Sequence, residues 1–129
     1  NNQKNKPRHN LNLFSIYLNW DRSILKERIS KRTSNLIKKG WIDEVKTLIE
    51  KYPDFDFHSL DSIGYRQIVL YLDNRISLEN LELEINTKTY QYAVKQIKWF
   101  RKEKIDFIVD MNSDTTFRHT TKKILSAIV

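Results

Sequence analysis

Two arginines one helical turn apart, Arg28 and Arg32, are the side chains of this sequence best suited to gripping an anion. At about 100° per residue, with Leu25 at zero, Ile29 and Leu36 fall at about 40° and 20° and Arg32 at about 340°, within one apolar stripe; Arg28 falls on its edge at about 300°. A guanidinium turned toward a buried face needs an anion opposite it, because an unpaired buried charge is very costly. Its planar, multi-donor fork suits a phosphate or diphosphate. A snorkelling side chain or a structural ion pair would satisfy the same spacing.

A second constellation lies further along. Residues 86–104 hold Lys88, Lys95, Lys98, Arg101, Lys102 and Lys104 against the single acid Glu103, interleaved with Tyr90, Tyr92, Trp99 and Phe100. Basic groups neutralise phosphates and aromatic planes stack on unpaired bases, so this pattern fits RNA. An amphipathic helix with a solvated basic face and an aromatic core gives the same pattern. Between the two constellations stands Ser62-Ile63-Gly64-Tyr65-Arg66-Gln67, where a glycine near a helix start permits close backbone approach. The chain has only Gly40 and Gly64, hence no G-x-x-x-x-G-K-[ST] phosphate loop. It has no cysteine, and His9, His58 and His119 are scattered, so no metal-ligand set is expected.

The elements that must position these groups follow from periodicity and punctuation. Residues 1–12, rich in Asn with a proline, read as a flexible linker, and residues 13–129 as one structural body. Helices are predicted at about 21–39, 41–52, 62–72, 77–103 and 115–128, and strands at about 14–18 and 105–109. Gly40 is the natural stop between the first two helices, and Asn19 or Asp21 the cap of the first. Two isolated strands are rarely stable alone. Either they pair with each other, or they belong to a sheet whose other strands lie outside this chain; the strand-poor pattern favours the second. In the fourth helix a stripe drawn from Ile85 holds Leu78, Leu81, Thr89, Tyr92, Gln96 and Trp99.

Charge is unevenly placed along the 129 residues, whose formal net charge is +7. Residues 1–40 carry ten Lys/Arg against two Asp/Glu, residues 41–85 four against ten, and residues 86–129 nine against four. Two basic blocks flanking an acidic one suggest a sided surface facing a polyanion. No apolar run approaches the roughly 18 residues of a membrane span, no signal peptide is visible, and a cysteine-free, Lys-rich chain fits a reducing compartment.

Read in order, LKERISKR (Leu25–Arg32), GWIDEV (Gly40–Val45), SIGYRQ (Ser62–Gln67), YL (Tyr71-Leu72) and YAVKQIKWFR (Tyr92–Arg101), followed by a strand ending in Asp110, resemble the tRNA dimethylallyltransferase (isopentenyl-diphosphate:tRNA transferase) family over about residues 13–110. The resemblance implies an α/β fold: a mostly helical C-terminal part of a P-loop NTPase-like domain, with the two strands in a parallel sheet. It implies a cytoplasmic enzyme, a monomer when complete. This transfers a dimethylallyl group from dimethylallyl diphosphate to N6 of the adenine 3′ of the anticodon, with Mg2+ assisting. By the same resemblance Arg32, as catalytic residue, and Arg28 would contact the diphosphate. Asp61, Ser62, Ile63, Gly64, Tyr65 and Arg66, with Lys95, Gln96, Trp99 and Arg101, would contact the tRNA anticodon stem-loop. The family's phosphate loop and catalytic base belong to the N-terminal half, as do any metal ligands. This chain is therefore expected to need that half as its partner and to be inactive alone. A non-catalytic helical RNA-binding module, or a basic domain docking on an acidic protein, would use the same elements.

Overall fold

The computed structural model describes residues 13–112 and 117–128, so the expected linker at 1–12 lies outside the described residues. The described residues divide into two compact units, one of residues 20–101 and one combining residues 13–19 with residues 102–112 and 117–128.

The larger unit holds four α-helices. Helix α1 runs Arg22–Lys38 and stops at Gly40, whose φ of 95° and ψ of 23° place it in the left-handed region that glycine enters freely. Helix α2, Trp41–Lys51, starts directly from that glycine, with Asp43 and Glu44 in its first turn, where acids complement the helix dipole. A short 3-10 turn, Phe57–Ser59, follows where sequence periodicity showed only a loop. The side chain of Asp56 accepts the His58 amide at 3.0 Å and organises it. Helix α3 covers Tyr65–Leu72, three residues later than the predicted start. The reason is Gly64, whose φ of 101° and ψ of −61° no helix can contain. Its amide donates instead to the Gln67 side chain at 2.8 Å. Helix α4, Leu78–Phe100, begins at Ser77, whose hydroxyl accepts the Asn80 amide at 3.2 Å.

Val45, Ile68, Val69, Leu81 and Ile85 form the buried core of this unit, drawn from α2, α3 and α4. Helices α1 and α4 pack on each other, and on each the less exposed residues follow a row that steps by four. In α1 the row is Ile29 and Thr33, buried, then Ile37, half-buried. In α4 it is Leu81 and Ile85, buried, then Thr89, Ala93 and Ile97, half-buried. Each such step advances about 40° around the helix, so the buried line winds along the surface and ridges set into grooves. A straight stripe drawn from one turn therefore misplaces the later residues. Tyr92 is 56% and Trp99 58% exposed, which corrects their assignment to the apolar stripe.

In the smaller unit, β1 (Ile16–Asn19) and β2 (Phe107–Asp110) pair in parallel, with Ile16 opposite Phe107 and Asn19 opposite Asp110. Each strand begins two residues later than predicted. The Asp106 carboxylate accepts the Ser15 amide at 2.8 Å and the Ser15 carbonyl accepts the Asp106 amide at 3.0 Å, fixing the register at one end. The strands are each other's neighbours, and among the described residues no third strand joins either edge. Helix α5, Phe117–Ile128, packs on β2, beside which Val109 is 2% exposed. Residues 115 and 116 of the predicted final helix lie outside the described residues. The fold is thus α/β, mostly helical, with two parallel strands.

Candidate functional site

Arg32 does not lie on the buried face of α1. The centre of that face is Thr33, whose hydroxyl donates to the Ile29 carbonyl at 3.1 Å. Arg32 stands about 100° away around the helix, and both Arg32 and Arg28 are exposed. The expectation of two inward-turned guanidiniums is corrected here. The sequence stripe was anchored on Leu25 and Leu36, whereas packing follows Ile29, Thr33 and Ile37. An exposed arginine carries no desolvation cost that an internal anion would have to offset. Arg28 is engaged locally: its guanidinium carbon sits 4.1 Å from the centroid of the Trp20 ring, a cation–π contact.

What the surface of α1 does offer is a groove. Arg28, Lys31, Arg32 and Lys39 line a cavity of about 600 Å³ together with Leu25, Ile29, Asn35 and Leu36. Four cations and no carboxylate face this space. Among the described residues no ion pair joins Arg32 to an acid. Like charges that are not internally neutralised raise the local potential and draw in anions.

Arg32 also lines a second recess, of about 330 Å³, with Leu36, Lys39, Trp41, Glu44 and Tyr65. Three helices meet here: the end of α1, the start of α2 and the start of α3. The Tyr65 hydroxyl donates to Glu44 Oε1 at 2.6 Å. That bond to a carboxylate raises the Tyr65 pKa above its ordinary value of 10.0, with burial and the Glu44 charge adding to the effect. The Tyr65 ring meets the Trp41 indole edge to face, centroids 6.0 Å apart and planes at 81°. Gly64 is buried against the same indole; a Cβ built on it would overlap the Trp41 ring. The GWIDEV and SIGYRQ blocks, well separated in sequence, are therefore one joint in space.

The structure brings Arg32 and Tyr65 to one recess, with Gly64 behind them. Asp61, Ser62, Ile63 and Arg66 are exposed around the start of α3. Ser62 and Tyr65 border a further apolar cavity of about 390 Å³, with Leu48, Tyr52, Phe55, Phe57 and Leu60. Lys95, Gln96, Trp99 and Arg101 line none of these three spaces. They are exposed on the last two turns of α4 and its cap, where Trp99 packs edge-on to Phe100 at 4.8 Å. Glu44, Lys39 and Trp41 escaped the sequence reading as site residues. Glu44 in particular read only as a favourable first-turn acid. The available signal was the Gly40-Trp41 pair, a left-handed glycine that ends α1 and starts α2 at once.

Among the described residues no group of three or more His, Cys, Asp or Glu side chains is placed to hold a metal ion. The recess has one carboxylate, Glu44, already accepting from Tyr65. These residues do not by themselves build a magnesium site. No helix among the described residues is long and apolar enough to cross a membrane.

The chain is similar to known proteins both in sequence and in structure. A sequence model of the family described as IPP transferase matches residues 1–103. The chain is 35% identical over 112 residues to a tRNA dimethylallyltransferase of Caldicellulosiruptor saccharolyticus, covering 87% of this chain and 36% of that protein. It is 37% identical over 109 residues to one from Aster yellows witches'-broom phytoplasma, covering 84% and 36%. Among solved structures, the tRNA isopentenylpyrophosphate transferase of Bacillus halodurans superposes with a TM-score of 0.79 at 30% identity, covering 97% of this chain and 40% of that one. The corresponding Staphylococcus epidermidis protein gives 0.73 at 26% identity. The chain spans between 36% and 40% of the length of the curated relatives it matches.

Proposed function

We propose, for a chain that belongs to the IPP transferase family, that it contributes the diphosphate-facing and tRNA-facing surfaces of a tRNA dimethylallyltransferase, the rest of the enzyme supplying the phosphate loop, the base and any magnesium ligands. The observation that carries this reading is Arg32, standing where the carboxylate-free cationic groove of α1 meets the recess shared with Tyr65.

In the proposed reaction the N6 amine of the adenine 3′ of the anticodon attacks the prenyl C1. The C–O bond to diphosphate breaks, diphosphate leaves with the electron pair, and the amine proton passes to a base outside this chain. The adenine must first leave its stack to expose the amine. Arg32 would donate to the oxygens on which charge grows, with Lys39 and Lys31 adding field and Arg28 held ready over Trp20 at the groove margin. A preorganised donor at such a position is worth roughly 10²–10³ in rate. The exposed end of α4, with Lys95, Gln96, Trp99 and Arg101, and the segment Asp61–Arg66 would meet the anticodon stem-loop through phosphate contacts and base stacking. The cytoplasm, where tRNA is modified, is the proposed setting, with the complete enzyme a monomer.

The test is Arg32→Ala in the complete enzyme that carries this chain. Prenyl transfer should fall by about 10²–10³, while tRNA affinity stays within a few-fold. Near-normal turnover would remove Arg32 from the reaction.

A further inference from the structure

The recess at the joint of α1, α2 and α3 contains an acid that ought to compete with substrate. Glu44 lines the same 330 Å³ space as Arg32 and Lys39, yet among the described residues it pairs with neither. Exposed carboxylates near guanidiniums pair readily, for a modest gain. Here the carboxylate instead accepts from the Tyr65 hydroxyl at 2.6 Å, a charge-assisted bond of the stronger kind. The phenol that makes it has little freedom. Its ring is braced edge-on against Trp41, the preceding Gly64 is pinned against the same indole, and the Gly64 amide is closed by Gln67 at 2.8 Å. Sequence spacing gives this bond no evident reason, since Tyr65 and Glu44 are 21 positions apart.

We infer that Tyr65 is a positioning residue: by holding the Glu44 carboxylate, it keeps that acid off Arg32 and leaves the guanidinium open to the diphosphate of the prenyl donor. This rests on the assignment of Arg32 made above. It adds that the recess carries its own decoy anion and a dedicated clamp for it. Without the clamp, Glu44 swings to Arg32 and competes with the diphosphate.

The experiment measures inhibition by inorganic diphosphate, and KM and kcat for dimethylallyl diphosphate, in the complete enzyme. Tyr65→Phe should weaken diphosphate inhibition and raise KM by about two- to five-fold, the size of an exposed ion pair. Glu44→Gln should bind diphosphate at least as tightly as the parent, because it removes the competing charge. Tyr65→Phe combined with Glu44→Gln should return inhibition to the parent value, an outcome that a merely structural role for Tyr65 does not produce. A double variant as weak as Tyr65→Phe alone, or a Glu44→Gln enzyme that binds diphosphate more weakly, overturns the inference. Arg32→Ala run alongside separates the two claims. If it leaves inhibition unchanged, the assignment of Arg32 fails. If it weakens inhibition at least ten-fold while Tyr65→Phe does nothing, only the clamp fails. Should Tyr65→Phe fold poorly, Glu44→Gln still tests the inference, since weaker diphosphate binding in that variant overturns it.

Discussion

Gly64 lies flat against the indole of Trp41, with no room for a single carbon between them. That contact joins the start of α2 to the start of α3 and so sets where Glu44 and Tyr65 stand relative to Arg32. It is a joint made by shape. The glycine supplies both the missing side chain and a backbone angle, φ 101°, that other residues rarely adopt.

Gly64→Ala should therefore destabilise the fold by about 2–6 kcal/mol, combining backbone strain of about 1–3 kcal/mol with a similar overpacking cost. Urea unfolding monitored by tryptophan fluorescence measures it. Adding Trp41→Ala should recover the overlap part and leave the strain part, so the two changes should be clearly non-additive. Simple additivity would mean that the indole and the glycine do not press on each other.

Tyr65 gives a pH-dependent signature. Its pKa is raised above 10.0 because the neutral phenol donates to Glu44. A group whose folded pKa is raised lends stability that is fully present below the unfolded pKa and is lost as pH climbs through the folded one. Tyr65→Phe should thus cost about 0.5–1 kcal/mol at neutral pH, a figure kept low because the pair is partly solvated. The cost should shrink as pH rises from about 10 upward. A difference between the two proteins that stays constant through that range would show that the hydrogen bond contributes nothing.

The end of α4 makes a prediction of another kind. Trp99 is 58% exposed and Lys95 is solvated, so replacing either with alanine should leave the unfolding midpoint nearly unchanged. In tRNA binding by the complete enzyme, Trp99→Ala should lose about 1–3 kcal/mol of stacking. Lys95→Ala should reduce the slope of log affinity against log salt by about one. Filter binding across a salt series distinguishes them; a loss of fold stability in either variant would place these residues in the core after all.

Much of this architecture is readable from residue types alone. Gly40 ends α1 because only glycine readily takes the left-handed turn, and the acidic first turn of α2 announces its start. Other features are not readable, for physical reasons. Arg32 looked buried because its angle was measured from Leu25 and Leu36, while the packed line runs through Ile29, Thr33 and Ile37 and winds about 40° at each step of four. The same winding carried Tyr92 and Trp99 out of the stripe drawn from Ile85. The start of α3 slipped to Tyr65 because helical periodicity ignores what a positive φ at Gly64 forbids. The Glu44–Tyr65 bond had no local sequence signature, since it depends on two helix starts being brought together by packing.

The two strands hold a last consequence, for the order in which this chain acquires its shape. Ser15 and Asp106, which lock the register of β1 on β2, are 91 positions apart. Closing so long a loop costs roughly 2 kcal/mol more chain entropy than closing one of about ten residues. The helices between them form from near neighbours and need no such closure. Strand pairing is thus expected to follow formation of the individual helices, which can wind up before β1 and β2 meet.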